Sequence, residues 1–314
     1  HRQESTYIAI CKHLFSIYRS ALPAIRKDVE QDFPRRPDEN EEAWEIRIRS
    51  EYVDVCRFLL PAASFANVGV TINARALEHS IKKMLSHPLS EVRAIGKEIK
   101  QVAQANVPTL VKYADHVPYL QSTRSTITAE TEKIHLPEIL GGDWCTLIAY
   151  DSTCESRIIA AALYRYGKGS YEKLLEWVEH IPPEKKSELT KQLLGKLNTH
   201  DIPIRELEHT YFTFDVSLDQ GAYFELKRHR MMTQTPQALS PHLGYASPLR
   251  FASANLMMDF HAAMNSAREA YEQIAIFNPQ VASYVVPNEF NRRVLLTFNL
   301  RTADHFIALR TAPN

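Results

Sequence analysis

The first thirty residues place Ile8, Ile10, Leu14, Ile17, Tyr18, Leu22 and Ile25 at helical spacing, ahead of Pro34 and a charged stretch at 36–47. Glu41 to Leu60 continues as an amphipathic helix until Pro61 stops it. Val68, Val70 and Ile72 alternate, the pattern turns helical over Ala74–Leu85, and Pro88 closes it. Ser90 to Ala105 reads as a helix with Ser90 as its N-cap and Glu91 in its first turn. From Val107 to Gly142 the spacing loosens, and Pro108, Pro118, Pro137 and Gly141-Gly142 mark a connection. A second unit opens on an apolar strand, Trp144–Tyr150, followed by a helix through Ala160–Tyr166. Leu174–Val178 and Leu189–Leu197 are helical, and Tyr211–Val216 has the aromatic and β-branched content of a strand. Helices near 249–276 and 299–310 finish a helix-rich α+β pattern, divided into modules at 1–140 and 141–314.

An internal repeat reorganises this pattern. Pro61, Thr71, Asn73, Arg75 and His79 recur as Pro287, Thr297, Asn299, Arg301 and His305, always 226 residues on, and Glu78 recurs as Asp304. A shorter match at an offset of 228 sets His1-Arg2-x-x-Ser5 against His229-Arg230-x-x-Thr233. The chain is therefore read as two copies of one module, the first beginning partway through.

Composition narrows the classes. Lys plus Arg and Asp plus Glu are each 37 and cancel, which argues against bulk attraction to nucleic acid or an anionic membrane. There are 9 glycines, against the ~22 of ordinary usage, and 17 prolines, which speaks for long, sharply stopped helices and not for a glycine-rich phosphate loop. No apolar run reaches the ~18 residues of a membrane span, and no signal peptide opens the sequence. The four cysteines form no CxxC pair, so neither a zinc knuckle nor a disulfide framework is expected. A cytoplasmic, reducing setting is the expectation. Tyr211, Phe212 and Phe214 are read as core strand residues, Met231, Met232, Met257 and Met258 as packing fillers, and the acidic run Asp38–Glu42 as a solvated loop.

Arg228-His229-Arg230 is the strongest candidate for chemistry. A lone triplet of this kind is commonly a solvated helix end, but Arg binds phosphate through a fork and His donates beside it. Upstream lies Glu208-His209-x-x-Phe212-Thr213-Phe214, and downstream Asn299-x-Arg301 on a helix that carries Arg310. These three blocks, in this order and spacing, resemble the signature of the flavin-dependent thymidylate synthases. The resemblance covers 143–314 well and 1–106 as a truncated second copy. It implies two copies of that family's fold, helices packed on a sheet. It also implies FAD as cofactor, with Arg228, His229, Arg230, Thr233, Asn299, Arg301 and His305 around it, and Asn73, Arg75 and His79 as their counterparts in the first copy. Arg310 would polarise the pyrimidine, and Arg57 and Arg310 would hold the nucleotide. Methylenetetrahydrofolate would supply the carbon and NADPH the reducing power, and no protein cysteine would attack the uracil. The family resembles a homotetramer, so a tandem chain is expected to form a homodimer.

Departures from the family pattern bear on function. After Arg230 the family has Ser-x-Asn-Glu-x-Ser-x-Arg-Tyr, whereas this chain runs Thr233-Gln234-Thr235-Pro236-Gln237-Ala238-Leu239-Ser240. Ser240, two residues past the expected serine, is the candidate replacement. The Arg before the helix-closing Pro survives as Arg57 but is Ser283 in the second copy, while Arg310 becomes Met84 in the first. Complementary loss predicts one nucleotide site that draws on both halves. The expected activity is methylation of dUMP to dTMP. A degenerate flavin- or nucleotide-binding homologue, or a methylase of another pyrimidine nucleotide, is the alternative.

Overall fold

The computed structural model describes residues 2–135, 142–198 and 201–312. His1, the Arg2 side chain, Pro137 and Gly141, which the sequence reading used, lie outside the described residues. In chain order the elements begin α1 (Arg2–Asp32), α2 (Glu41–Cys56), a 3-10 turn (Arg57–Leu59), α3 (Ala74–Leu85), α4 (Ser90–Asn106) and α5 (Pro118–Thr131). Then come β1 (Cys145–Tyr150), α6 (Cys154–Tyr166), α7 (Tyr171–His180), α8 (Pro183–Leu194), a second 3-10 turn (Arg205–His209), β2 (Phe212–Asp219), α9 (Gln220–Leu226) and β3 (Thr233–Pro236). The chain ends with α10 (Leu249–Ser253), α11 (Met257–Ala275), α12 (Pro279–Ala282), a third 3-10 turn (Ser283–Val285), β4 (Asn291–Phe298) and α13 (Leu300–Arg310). No described helix is long and apolar enough to cross a membrane.

The compact units do not follow the sequence division at 140/141. One holds 1–141 with 247–288, the other 142–246 with 289–314. The physical reason is α11, which packs along α1. It buries Phe260, Ala263, Met264, Ala267, Tyr271 and Ile274 within the first unit.

In the first unit, Leu14, Ile25 and Val29 of α1 and Ile48 of α2 are sealed from solvent. Arg250 of α10 donates to Asp28 at 3.1 Å and also to Asp32, tying α10 to the end of α1. The acidic run is not simply solvated. Arg47 holds Glu39 at 2.7 and 2.8 Å, and this pairing pulls the Glu39 carboxyl down to about 2. Helix α4 starts after Leu89 without a side-chain cap, so Ser90 is its first residue and not the cap. Gly96 of α4 is where α3 touches it, since a Cβ there would stand 2.8 Å from the Met84 Cβ. The segment expected as a plain connection contains α5, whose residues are all exposed.

Two sites in this unit carry the 226-residue spacing. The Arg57–Leu59 and Ser283–Val285 turns are equivalent positions, and each runs into a proline. Pro61 and Pro287 form an antiparallel bridge, with Ala62 N donating to Val286 O at 3.0 Å and Asn288 N to Leu60 O at 3.1 Å. Residues 65–72, the alternating run, are exposed and lie outside any helix or strand, and none of their backbone groups takes part in a hydrogen bond among the described residues.

The second unit is built on a four-stranded antiparallel sheet in the order β1-β2-β4-β3. Thr213, Thr297 and Thr233 stand opposite one another across β2, β4 and β3, and the first two hydroxyls lie 3.0 Å apart. One sheet face carries Val216, Val294 and Leu296 into a core with Tyr223 and Leu226 of α9 and with Met232. Phe214 and Phe298 stack beside it at 5.4 Å. Helices α6, α7 and α8 share a separate small core around Ile159, Ala160 and Val178. At the foot of β4, burial and the neighbouring Asp219 push the buried Glu289 carboxyl up to about 8.

Two outcomes follow for stability. Leu14→Ala should cost about 3 kcal/mol, whereas Ile46→Ala, at an exposed position, should cost a few tenths, both read by denaturant titration. Glu289 binds its proton more tightly folded than unfolded (~4.3). Its contribution is therefore full below that unfolded value and is lost as pH rises through about 8. Glu289→Gln should flatten that loss, and an unchanged pH–stability curve would contradict the assignment.

Candidate functional site

Helix α13 supplies most of the signature residues, and its start is fixed locally. The Asn299 side chain caps it, accepting from Thr302 N at 2.9 Å. Arg301, the second residue of the helix, donates to Pro203 O at 3.1 Å and to Glu208 Oε1 at 2.5 Å. Glu208 also takes a fork from Arg205 at 3.0 and 3.2 Å, and Arg205 first, then Arg301, holds its carboxyl below the ordinary range. Arg301 is thus engaged inside the protein. Glu208 and Thr210, whose hydroxyl accepts from Leu300 N at 3.4 Å, seat the start of α13 on the second 3-10 turn.

The other end of α13 meets the arginine–histidine triplet. Arg310 donates through Nε to His229 Nε2 at 3.0 Å, to a Glu225 carboxylate oxygen at 3.0 Å and to the Glu225 carbonyl at 2.8 Å. Arg228 pairs with the other Glu225 oxygen at 3.0 Å. Because Nε2 of His229 accepts, the ring is neutral with its proton on Nδ1. Burial lowers the pKa of His229, and the charges of Arg310 and His305 lower it further. The ring stands edge-on to Phe306 at 4.8 Å and to His305 at 6.2 Å.

Between α13 and the sheet runs a cleft of about 530 Å³. Phe212, Phe214 and Phe298 form its floor, Phe306 and Ile307 one wall, and Glu225 with Arg310 a polar rim. Its lining is otherwise apolar, so it suits a planar ring whose polar edge reaches that rim. Phe212 and Phe214 therefore line a cleft as well as belonging to a strand.

The remaining candidates scatter. Arg230 is exposed and has no partner among the described residues, and Thr233 is exposed on β3 opposite Thr297. Ser240 follows β3 in a loop and does not line the cleft. Asn73, Arg75 and His79 lie on α3 in the first unit, along a groove with Glu78 and Lys82. Asn73 caps α3 through Ala76 N at 2.9 Å, as Asn299 caps α13. Arg57 is half exposed and pairs with Asp54 at 3.1 Å. The structure thus gathers His229, His305 and Arg310, with Arg228 joined through Glu225, and leaves Arg301 at the opposite end of the helix. Sequence reasoning missed Glu225. Its signal was its place three residues before Arg228, one helical turn away.

Arg310→Met should raise the His229 pKa part of the way toward ~6.5, because one of its two depressing charges goes while burial stays. A folded pKa below the unfolded one makes wild-type stability fall as pH drops below ~6.5, a fall that ends below the folded pKa. The variant should lose less over that range. NMR titration of the ring reads the shift directly, and a lower pKa in the variant would contradict the assignment.

The chain is similar to three sets of known proteins. The family model described as thymidylate synthase complementing protein matches residues 2–109 and 146–314. A UPF0159 protein of Chlamydia muridarum is 29% identical over 323 positions, covering 99% of this chain and 60% of that protein. A UPF0159 protein of Chlamydia pneumoniae is 27% identical, covering 98% and 60%, so the chain spans about 60% of the length of these curated relatives. Among solved structures, a flavin-dependent thymidylate synthase of Helicobacter pylori complexed with FAD and dUMP is 17% identical. It gives a TM-score of 0.38 over 54% of this chain and 85% of its own. A UMP/dUMP methylase of Streptomyces cacaoi bound with 5-Br dUMP is 17% identical, with a TM-score of 0.40 over 54% and 78%.

Proposed function

Because the chain belongs to the thymidylate synthase complementing protein family, the flavin-dependent thymidylate synthases, we propose that it serves FAD-dependent methylation of dUMP to dTMP. Methylenetetrahydrofolate is the proposed carbon donor and NADPH the proposed reductant. The observation that carries this reading is the apolar cleft under α13 with the Arg310 guanidinium at its polar rim. Arg230 is exposed without a partner, Arg228 is exposed and shares Glu225 with Arg310, and the cleft floor is aromatic. That donor set fits a group with a flat ring and two phosphates.

Arg228 and Arg230 would hold the phosphates, and the Phe212–Phe214–Phe298 floor would exclude water from the ring. Flavin, when bound, supplies the redox chemistry, which no side chain of this protein can. Arg310 keeps a guanidinium at the cleft rim, where a uracil carbonyl or a phosphate can accept from it. His229 stays neutral and fixes that guanidinium through Nε2. Arg301 serves by holding α13 to Glu208, so its role in flavin binding is positional. Arg57 and Arg310 remain the proposed nucleotide cations, Asn73, Arg75 and His79 the proposed first-copy counterparts, and a dimer of tandem chains the proposed assembly. The caps Asn73 and Asn299, the paired turns and the Pro61–Pro287 bridge, all at one spacing, support the duplicated reading.

A second reading, a flavin- or nucleotide-binding homologue without catalysis, is favoured by one observation: Ser240 stands outside the cleft lining. Single-turnover formation of dTMP separates the two readings.

A charged hydrogen bond is worth ~1.5–3 kcal/mol, so Arg230→Ala should weaken FAD by one to two decades at ~1.4 kcal/mol per decade. Its melting temperature should not move. Arg301→Ala should instead lower the melting temperature, having lost the Glu208 anchor. Fluorescence titration of FAD and thermal unfolding give both readouts, and wild-type FAD affinity in Arg230→Ala would sink the phosphate assignment.

A further inference from the structure

Helix α5 holds its place without a core. None of its residues is buried, and its tethers are polar. Val117 N, just before it, donates to the Ser86 hydroxyl at 2.9 Å, and His116 Nε2 lies 2.8 Å from the Gln121 side-chain oxygen. The helix also lies outside residues 2–109 and 146–314, which match the family model. One face of it is nevertheless laid out at helical spacing. Gln121, Arg124, Ser125, Thr128, Ala129 and, just past its end, Glu132 all line one cleft with the corner between α3 and α4. The cleft encloses about 600 Å³ and lies wholly within the first unit. None of the residues proposed above for flavin or nucleotide lines it.

The charges at this cleft are unbalanced. Arg124 is exposed and makes no hydrogen bond or ion pair among the described residues. Arg93 donates to the carbonyls of His87 and Pro88, at 2.7 and 2.6 Å, and its charge meets no carboxylate among the described residues. Both charges reach the His87 ring: burial first, then Arg124 and Arg93, hold its pKa below the ordinary value. His87 Nδ1 accepts from Leu89 N at 3.2 Å, which leaves the ring proton on Nε2, where it has no acceptor among the described residues. Two guanidiniums and an unspent N–H donor therefore gather at His87. Glu132, eight residues beyond Arg124 and so about 12 Å farther along the helix, is the one carboxylate among the described lining residues.

We propose that this cleft binds a small phosphate monoester with a polyhydroxyl body, its phosphate between Arg93 and Arg124 and its hydroxyls toward Glu132. A phosphate dianion takes charged hydrogen bonds from both guanidiniums and a further one from His87 Nε2–H. Glu132 repels a second anionic group and accepts from hydroxyls instead, which selects a monophosphate with a neutral body over a polyanion. The balance of 37 basic and 37 acidic residues likewise argues against a nucleic-acid strand as the occupant. A bound phosphate would also join Arg124 of α5 to Arg93 of α4, fastening a helix that no buried side chain holds. This inference stands apart from the flavin reading and shares no residue with it.

Hydrogen–deuterium exchange of the whole chain, with ribose 5-phosphate as the probe, tests the inference at α5 itself and needs no flavin. At ten times its dissociation constant from calorimetry, the probe should slow exchange of amides 122–131 about tenfold. Inorganic phosphate should give that slowing only at higher concentration, and ribose should give none. Arg124→Ala, which has no partner to lose, should keep the wild-type melting temperature and bind the probe at least about tenfold more weakly, and Arg124→Lys should recover part of the loss. Glu132→Ala should abolish the preference for ribose 5-phosphate over inorganic phosphate. Unchanged exchange in α5, equal slowing by ribose, or protection that persists in Arg124→Ala would overturn the inference. A preference left intact by Glu132→Ala would overturn the polyhydroxyl body.

Discussion

Helix α13 is clamped at both ends by carboxylates from elsewhere in its unit, and the site depends on that clamp. Glu208 takes Arg301 at the start, and Glu225 takes Arg310 at the end. Each pair is only partly exposed, so screening is weaker than at an open surface, and each has further hydrogen bonds to support it. The clamp fixes the helix above the aromatic sheet face, and the space left beneath it is the cleft. It also sets the chemistry at the rim, because the guanidinium that Glu225 orients adds to burial in lowering the His229 pKa.

Much of this was legible in sequence. The limits of α3, Ala74 to Leu85, followed from helical spacing ahead of the Pro88 stop, β1 from its apolar run, and β2 from its aromatic and β-branched content. Family membership followed from three short blocks whose order and separation carry more information than any one of them. Other features depend on tertiary context. Strand β4 includes Arg292 and Arg293, which hide its alternation; in the structure Arg292 lies over the Tyr223 ring at 4.7 Å and donates to Gln220 at 2.7 Å. Helix α5 lacks an apolar face, so periodicity could not reveal it. The assignment of 247–288 to the first unit depends on which partner α11 finds, which no local signal encodes.

Arg301, read from the sequence as one of the residues around the flavin, is engaged inside its own unit in the structure. Its guanidinium is held by an internal carboxylate and a carbonyl. Met84 illustrates the complementary case. It stands where the second copy has Arg310, and its Cβ lies against Gly96 in the α3–α4 contact.

On the proposed function, the cleft under α13 holds the flavin ring and Arg228 and Arg230 hold its phosphates. The most direct measurement is the visible absorption of the protein after incubation with FAD and gel filtration. Flavin bands should co-elute with the wild-type chain and disappear from an Arg228→Ala/Arg230→Ala variant that elutes as a folded protein. A colourless wild-type peak, or equal flavin retention by the double variant, would contradict the account.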